Sequence, residues 1–85
     1  MKKWYVYIVR CVDNTLYTGI STDVDRRVAE HNSPKRGAKY TKKRQPVELE
    51  AFWVFDDRSS ASKEEYRIKQ LSRADKLLLI DNFKV

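Results

Sequence analysis

Two runs of strand-forming residues, WYVYIVRC (residues 4–11) and LYTGIS (residues 16–21), flank Asp13-Asn14-Thr15. Aromatic and β-branched residues suit a pleated surface, and Asp and Asn suit tight turns. The chain therefore opens with a β-hairpin. Its 85 residues make one domain, so every later element must pack on that hairpin. Side chains alternate along a strand, which puts Tyr5 and Tyr7 on one face. Tyr17 lies across the hairpin and can point to the same face. Aromatic cross-strand pairs are ordinary packing, so three tyrosines alone do not make a site.

The elements that follow can be read in order. Thr22 is placed to cap a helix, with Asp23 and Asp25 favouring its positive N-terminal end. That helix runs to about Asn32. Pro34 and Gly37 open a basic loop. VELEAFWVF, residues 47–55, reads as a third strand. Ser59 or Ser60 starts a second helix that ends near Leu71. Ser72 with Asp75 resembles a capping box for a third helix, to about Asn82. Its run Leu77-Leu78-Leu79-Ile80 is expected to close the core, while Trp4, Phe52 and Trp53 suit either the core or a partner surface. The order β-β-α-β-α-α predicts an α/β fold: one domain over residues 1–85, with a small three-stranded, mainly antiparallel sheet flanked by helices.

The sequence holds a single cysteine, Cys11, so no disulfide framework is available. A lone thiol fits a reducing cytoplasm. The N-terminal MKKWYVYIVRC contains aromatic residues and an early Arg10, and lacks a small-residue cleavage site. It reads as a strand rather than a signal peptide, and nothing approaches a membrane span. A cytoplasmic protein without membrane association is expected.

The net charge of +6 is not spread evenly. Residues 34–46, PKRGAKYTKKRQP, hold Lys35, Arg36, Lys39, Lys42, Lys43 and Arg44 and no acid, and the remainder of the chain balances. Such a segment attracts phosphate backbones by counterion release; it also suits a merely solvated loop. Tyr40 within it offers a stacking surface for an exposed base.

The predicted helices carry polar interruptions. From Val24, the core-facing positions of the first helix are Val24, Arg27, Val28 and His31. Arg27 and His31 lie one turn apart, so their side chains are neighbours. From Ala61, the second helix presents Glu65, Ile68, Leu71 and Ser72 on one face. An inward Arg, His and Glu are costly unless paired, bound or set at a cleft. Arg27 and Glu65 could simply form an ion pair between helices. If both helices cover the tyrosine face, however, phenol, guanidinium, imidazole and carboxylate converge. That set suits phosphoryl chemistry: a proton acceptor, a charge stabiliser and a metal ligand. A thiol catalyst built from Cys11 and His31 is a third reading. It lacks a group to activate the thiol, and a small buried hydrophobe is the simpler role. One Cys and one His make a poor zinc site.

Tyr5-Val6-Tyr7, then Tyr17-Thr18-Gly19, then Arg27, His31 and Glu65 together resemble the GIY-YIG nuclease superfamily. YTGISTDVDRRVAEHN is similar to the helix that carries the family's arginine, and EEYRIKQL to the segment with its glutamate. The resemblance covers nearly the whole chain. It is strongest to the small stand-alone bacterial members, whose role is poorly defined. In the motifs, Tyr5 stands for the first glycine and Thr18 for a β-branched apolar residue. Ile20 stands where some branches have a lysine, so no role passes to it.

The resemblance implies a metal-dependent nuclease. Tyr7 and Tyr17 match the motif tyrosines, either of which could take a proton from the attacking water, with Tyr17 preferred. Gly19 matches the small residue where the backbone nears the site. Arg27 matches the arginine that neutralises the scissile phosphate, with Arg26 next in register. His31 matches a histidine that helps a tyrosine lose its proton. Glu65 matches the single carboxylate that holds one Mg²⁺ or Mn²⁺, and Glu64 falls off that face. The expected partner is nucleic acid, DNA ahead of RNA, tracked by Lys35, Arg36, Lys39, Tyr40, Lys42, Lys43 and Arg44. Family nucleases often rely on a second domain for targeting; here the basic loop, or a protein partner, must do that. Selection by structure rather than sequence follows, because phosphate contacts carry no code. A non-catalytic nucleic-acid-binding module with the same fold is the alternative.

Overall fold

The computed structural model describes residues 2–33, 35–36 and 38–85. The expected opening of the basic loop at Pro34 and Gly37 lies outside the described residues. Strands β1 (Trp4–Arg10), β2 (Leu16–Ser21) and β3 (Glu48–Phe55) form one sheet. Its order is β2-β1-β3, with both pairings antiparallel. Helices α1 (Val24–His31), α2 (Lys39–Lys42), α3 (Arg58–Lys69) and α4 (Arg73–Lys84) complete the chain. The β-β-α-β-α-α reading holds for the long elements. The short α2, inside the segment read as a loop, is additional.

The hairpin turn follows its chemistry. Asn14 takes a φ of 70°, a left-handed conformation that Asn tolerates. The Asp13 carboxylate accepts from the Thr15 backbone N–H and hydroxyl, at 3.2 and 2.6 Å. The starts of α1 and α3 are set by side chains one to three residues from where the sequence put them. Asp23, rather than Thr22, caps α1 by accepting from the Arg26 N–H, and Asp57, rather than a serine, caps α3 by accepting from the Ser60 N–H. A carboxylate makes the stronger bond to an N–H at the positive helix end. Ser72 caps α4 as expected, accepting from the Asp75 N–H at 3.2 Å.

Both sheet faces are covered, each by its own layer. Val6, Ile8 and Ala51 pack with Ala61 and Ile68 of α3 and Ile80 of α4. Trp4, Trp53, Leu77 and Leu79 close that layer, whereas Leu78 stays 58% exposed, because a helix cannot turn four successive residues inward. Phe52 stands on the other face, half-open, against Tyr5 and Phe83. That other face joins Tyr7, Val9, Cys11 and Val47 to Val24 of α1, with Tyr5, Tyr17, Val28 and Leu49 around them. Of the two polar-interrupted helices, only α1 covers the tyrosine face, and α3 packs on the other. Each long helix must bury an apolar stripe, and the Val6–Ile8 face is the apolar one, so α3 goes there. Among the described residues no helix is long and apolar enough to cross a membrane.

A bulge between Ile8 and Val9 in the β1–β3 pairing turns Glu50 inward. Glu50 is buried and accepts from Arg10 Nε at 3.0 Å and from Lys84 Nζ at 2.5 Å. This fastens the last turn of α4 to the sheet. Burial alone would raise the Glu50 carboxyl pKa; the Lys84 and Arg10 cations outweigh it and hold it below the usual range. A depressed carboxyl stabilises the fold above its unfolded value of about 4.3, and that contribution disappears as pH falls through the folded value. Glu50→Gln should destabilise by roughly 1–3 kcal/mol near neutrality. In urea unfolding, the gap to wild type should shrink at about pH 3, below the unfolded carboxylate value.

Candidate active site

The site starts from strand register. Tyr7 of β1 pairs with Gly19 of β2, and the Tyr7 ring crosses the strand over that residue. A methyl group on Gly19 would sit 2.6 Å from Tyr7 Oη, 2.8 Å from its Cζ and 3.2 Å from Tyr17 Cε2. Only glycine leaves room for the phenol to lie flat across β2. Tyr17, two residues before, flanks it on the same face.

α1 supplies the polar groups. Its inward positions are those predicted: Val24 and His31 are buried, and Arg27 and Val28 are half-buried. His31 Nε2 lies 2.6 Å from Tyr7 Oη, and Nδ1 lies 2.8 Å from the Thr41 hydroxyl. Its ring meets Tyr17 edge-on at 5.2 Å between centroids. Arg27 Nη1 donates to Glu30 Oε1 at 2.8 Å and to the Arg36 carbonyl at 3.2 Å. The Arg27 guanidinium also sits close enough to the Tyr7 phenol to favour its phenolate. Arg26, the alternative in register, points elsewhere, toward Ser21 and Glu30.

Glu65 reaches the site from the opposite layer. α3 packs across β1 and the edge strand β2. The Glu65 carboxylate, half-buried, lies near enough to Tyr7 for its charge to raise the phenol pKa. Its partner is Lys69 Nζ at 3.4 Å. The inter-helix ion pair considered for Arg27 and Glu65 does not form; each has a partner on its own helix. Glu64 is taken by Arg67 through two bonds of 2.7 Å.

Electrostatics keep the site neutral at its centre. Burial raises the Tyr7 pKa, and the neighbouring Tyr17 and Glu65 raise it further against the opposing Arg27. Burial pushes His31 down to about 4, aided by Arg27 and opposed by Glu30. At neutral pH the Tyr7 phenol keeps its proton and the imidazole is uncharged.

The basic segment is built rather than loose. Asn32 exchanges side-chain bonds with the Val47 backbone, and Gln45 Nε2 donates to the His31 and Ser33 carbonyls, both at 2.7 Å. Arg44 donates to Asp13 Oδ2 at 3.0 Å and to the Tyr40 carbonyl at 2.8 Å, and its guanidinium lies 4.0 Å from the Tyr40 ring centre. Tyr40 in turn stacks on Tyr17 at 5.8 Å. Tyr40 thus lies between Tyr17 and Arg44 and keeps 38% of its surface exposed, and Arg44 is paired with Asp13. Lys35, Arg36, Lys39, Lys42 and Lys43 are exposed. Thr41 and Gln45 escaped sequence reading, since four helical residues within a charge run show no period. Cys11 is buried and its thiol pKa is raised by that burial. Both ring nitrogens of His31 are engaged by Tyr7 and Thr41, which leaves the thiol reading unsupported.

Among the described residues no three His, Cys, Asp or Glu side chains cluster. A cation here would draw one carboxylate from the protein, Glu65. That suits a hard ion which takes its other ligands from water and phosphate oxygens. Lys69 is half-exposed on a flexible stem and can yield its place.

The GIY-YIG catalytic domain model matches residues 3–78. A UPF0213 protein of Desulfotalea psychrophila is 56% identical over 77 residues, covering 91% of this chain and 70% of that one. One from Halobacterium salinarum is 58% identical over 72 residues, covering 85% and 92%. The solution NMR structure of a UPF0213 protein of Bacillus halodurans matches with a TM-score of 0.60 at 48% identity, covering 93% and 83%. That of an E. faecalis protein matches with 0.66 at 40% identity, covering 99% and 88%.

Two measurements check the geometry. His31 is the only histidine, so its NMR titration is unambiguous and should show a midpoint near 4. The unfolded chain takes up that proton first, at about 6.5, so stability should fall as pH drops from there through the folded value. Gly19→Ala should displace the Tyr7 ring and abolish the Tyr7–His31 contact while the sheet persists. Loss of ring contacts in NOE spectra with unchanged circular dichroism is the expected pattern. By motif, architecture and relatives alike, the chain belongs to the GIY-YIG superfamily, among its small UPF0213 proteins.

Proposed function

We propose that this protein is a divalent-metal-dependent phosphodiesterase acting on nucleic acid. The observation that carries the reading is the Tyr7–His31 bond of 2.6 Å beside Arg27, laid over a glycine that admits no side chain. A neutral imidazole behind the phenol fixes where its hydroxyl points. Sequence reasoning preferred Tyr17 as the proton acceptor. The bond to His31 favours Tyr7, with Tyr17 as the flanking wall. Arg27, beside the Tyr7 phenol, would neutralise charge on a phosphate bound there. Glu65 would hold Mg²⁺ or Mn²⁺, which when bound neutralises phosphate and lowers the pKa of an adjacent water.

Binding is assigned to the exposed Lys35, Arg36, Lys39, Lys42 and Lys43. These contact backbone rather than bases, so affinity is salt-sensitive and preference is by shape, with DNA ahead of RNA. The cytoplasm is the compartment this reading implies. The non-catalytic binding module remains the second reading, favoured by those same lysines, none of which has an ion-pair partner among the described residues.

A cleavage assay separates the two. End-labelled single-stranded, duplex and flapped DNA, and RNA, are incubated with Mg²⁺ or Mn²⁺. Wild type should cut at least one substrate. Glu65→Ala and Arg27→Ala should lose about 10²-fold or more while retaining the native circular dichroism spectrum. Retention of substrate in gel shifts with no cutting above the mutant background would select the binding module. Unfolding of Arg27→Ala would instead assign Arg27 a structural task.

A further inference from the structure

Thr41 is a polar residue with no exposure, carried on α2, and the reading above gives it no role. Its hydroxyl lies between two groups: His31 Nδ1 at 2.8 Å and the Ala38 carbonyl at 3.0 Å. On the far side of the ring, Nε2 meets Tyr7 Oη at 2.6 Å. That last distance falls below the usual N–H···O range of about 2.7–3.2 Å and suits an O–H donor. The phenol therefore donates and Nε2 accepts. A neutral imidazole carries one proton, which then belongs on Nδ1 and points at Thr41 Oγ1. The Thr41 hydroxyl passes its own hydrogen to Ala38. Each polar atom in this line is satisfied in one direction only: Tyr7 to His31, His31 to Thr41, Thr41 to Ala38. One neighbour opposes it. The Ala38 N–H also faces Nδ1, at 3.5 Å, and would favour the other tautomer.

We propose that Thr41 is a positioning residue that holds His31 in the Nδ1–H tautomer, so that the Nε2 lone pair accepts the Tyr7 hydrogen bond and orients the phenol. The inference deepens the phosphodiesterase reading and takes its functional meaning from it, but the tautomer itself is a property of the folded protein. The task resembles that of a carboxylate behind a histidine base, where the wrong tautomer stops proton transfer. Here the partner is a neutral hydroxyl, which fixes the tautomer by hydrogen bonding without supplying the negative charge that would favour an imidazolium. Arg27 and Glu30 on α1, Arg44 beyond Tyr40 and Glu65 on α3 are the surrounding charges, and Tyr7 and Tyr17 line the remaining sides.

The test is a long-range hydrogen–nitrogen correlation spectrum of isotope-labelled protein near neutral pH. With one histidine in the chain, the two ring nitrogens are assigned without ambiguity. Wild type should show the protonated nitrogen at Nδ1. Thr41→Val removes the hydroxyl and leaves the Ala38 N–H as the partner of Nδ1, so the proton should move to Nε2. Thr41→Ser should keep it on Nδ1. A wild-type proton on Nε2, or a Thr41→Val spectrum like wild type, overturns the proposal. If Thr41→Val does not fold, wild type and Thr41→Ser still decide it. On a cleaved substrate, Thr41→Val should lower kcat about tenfold or more with KM unchanged, and Thr41→Ser should restore it. A kcat loss without the tautomer change counts against the proposal. Absence of cleavage by every form would overturn the phosphodiesterase reading and leave the tautomer result intact.

Discussion

The placement of Tyr7 over Gly19 is the constraint on which the site depends. Antiparallel pairing makes these residues direct neighbours, and the missing side chain turns neighbourhood into overlap. The phenol is carried outward from the central strand across the edge strand. Its hydroxyl then stands where α1 can reach it through His31 and Arg27, and where α3 passes on the other side. A one-residue slip of β1 against β2 would turn Tyr7 to the opposite face and bring Val6 or Ile8 here. The hydrophobic layer of Val6, Ile8, Ala61 and Ile68 forbids that slip, since it would expose the most deeply buried residues of the chain. The apolar core thus fixes the register that the polar site needs.

The electrostatic arrangement follows from the same geometry. Tyr7 and His31 are both pushed toward their neutral forms by burial. Charge is held at the periphery, on Arg27 with Glu30, and on Glu65 with Lys69. Both peripheral pairs are within single helices and partly exposed, so each is weak and separable. A buried Arg27–Glu65 pair would have been costly to open. Two local pairs let the guanidinium and the carboxylate open independently of each other.

Much of this was legible in the residues. The hairpin showed in its alternation and turn chemistry. Arg27 and His31 showed as polar residues on an otherwise inward helical face, and Ser72 with Asp75 marked the last helix. Other features have no local signal. Nothing near Glu65 states that its helix lies on the far face of the sheet; that depends on which face is the more apolar, a property of all three strands together. The clamp of Arg44 on Asp13 joins residues far apart in sequence and sets the guanidinium over the Tyr40 ring. Glu50 is buried beside a bulge in the β1–β3 pairing, and a register shift has no signal in the strand's own residues. Thr41 was hidden because a buried threonine in a run of lysines resembles any polar loop residue.

The position of Glu65 shows why the edge strand matters. A carboxylate on one layer and a phenol on the other cannot meet through the middle of a sheet. They can meet around its rim, provided the rim strand is thin there. β2 is that rim, and Gly19 makes it thin at the point where Tyr7 crosses. An edge strand is ordinarily a hazard, offering unpaired backbone to another chain. Here the rim is occupied: α3 passes along it, the Tyr7 ring lies over it, and Tyr17 with Tyr40 and Arg44 walls its far end. The rim strand is thus held by side chains from both layers, and the same glycine that lets Tyr7 cross it brings the phenol to His31 and Arg27.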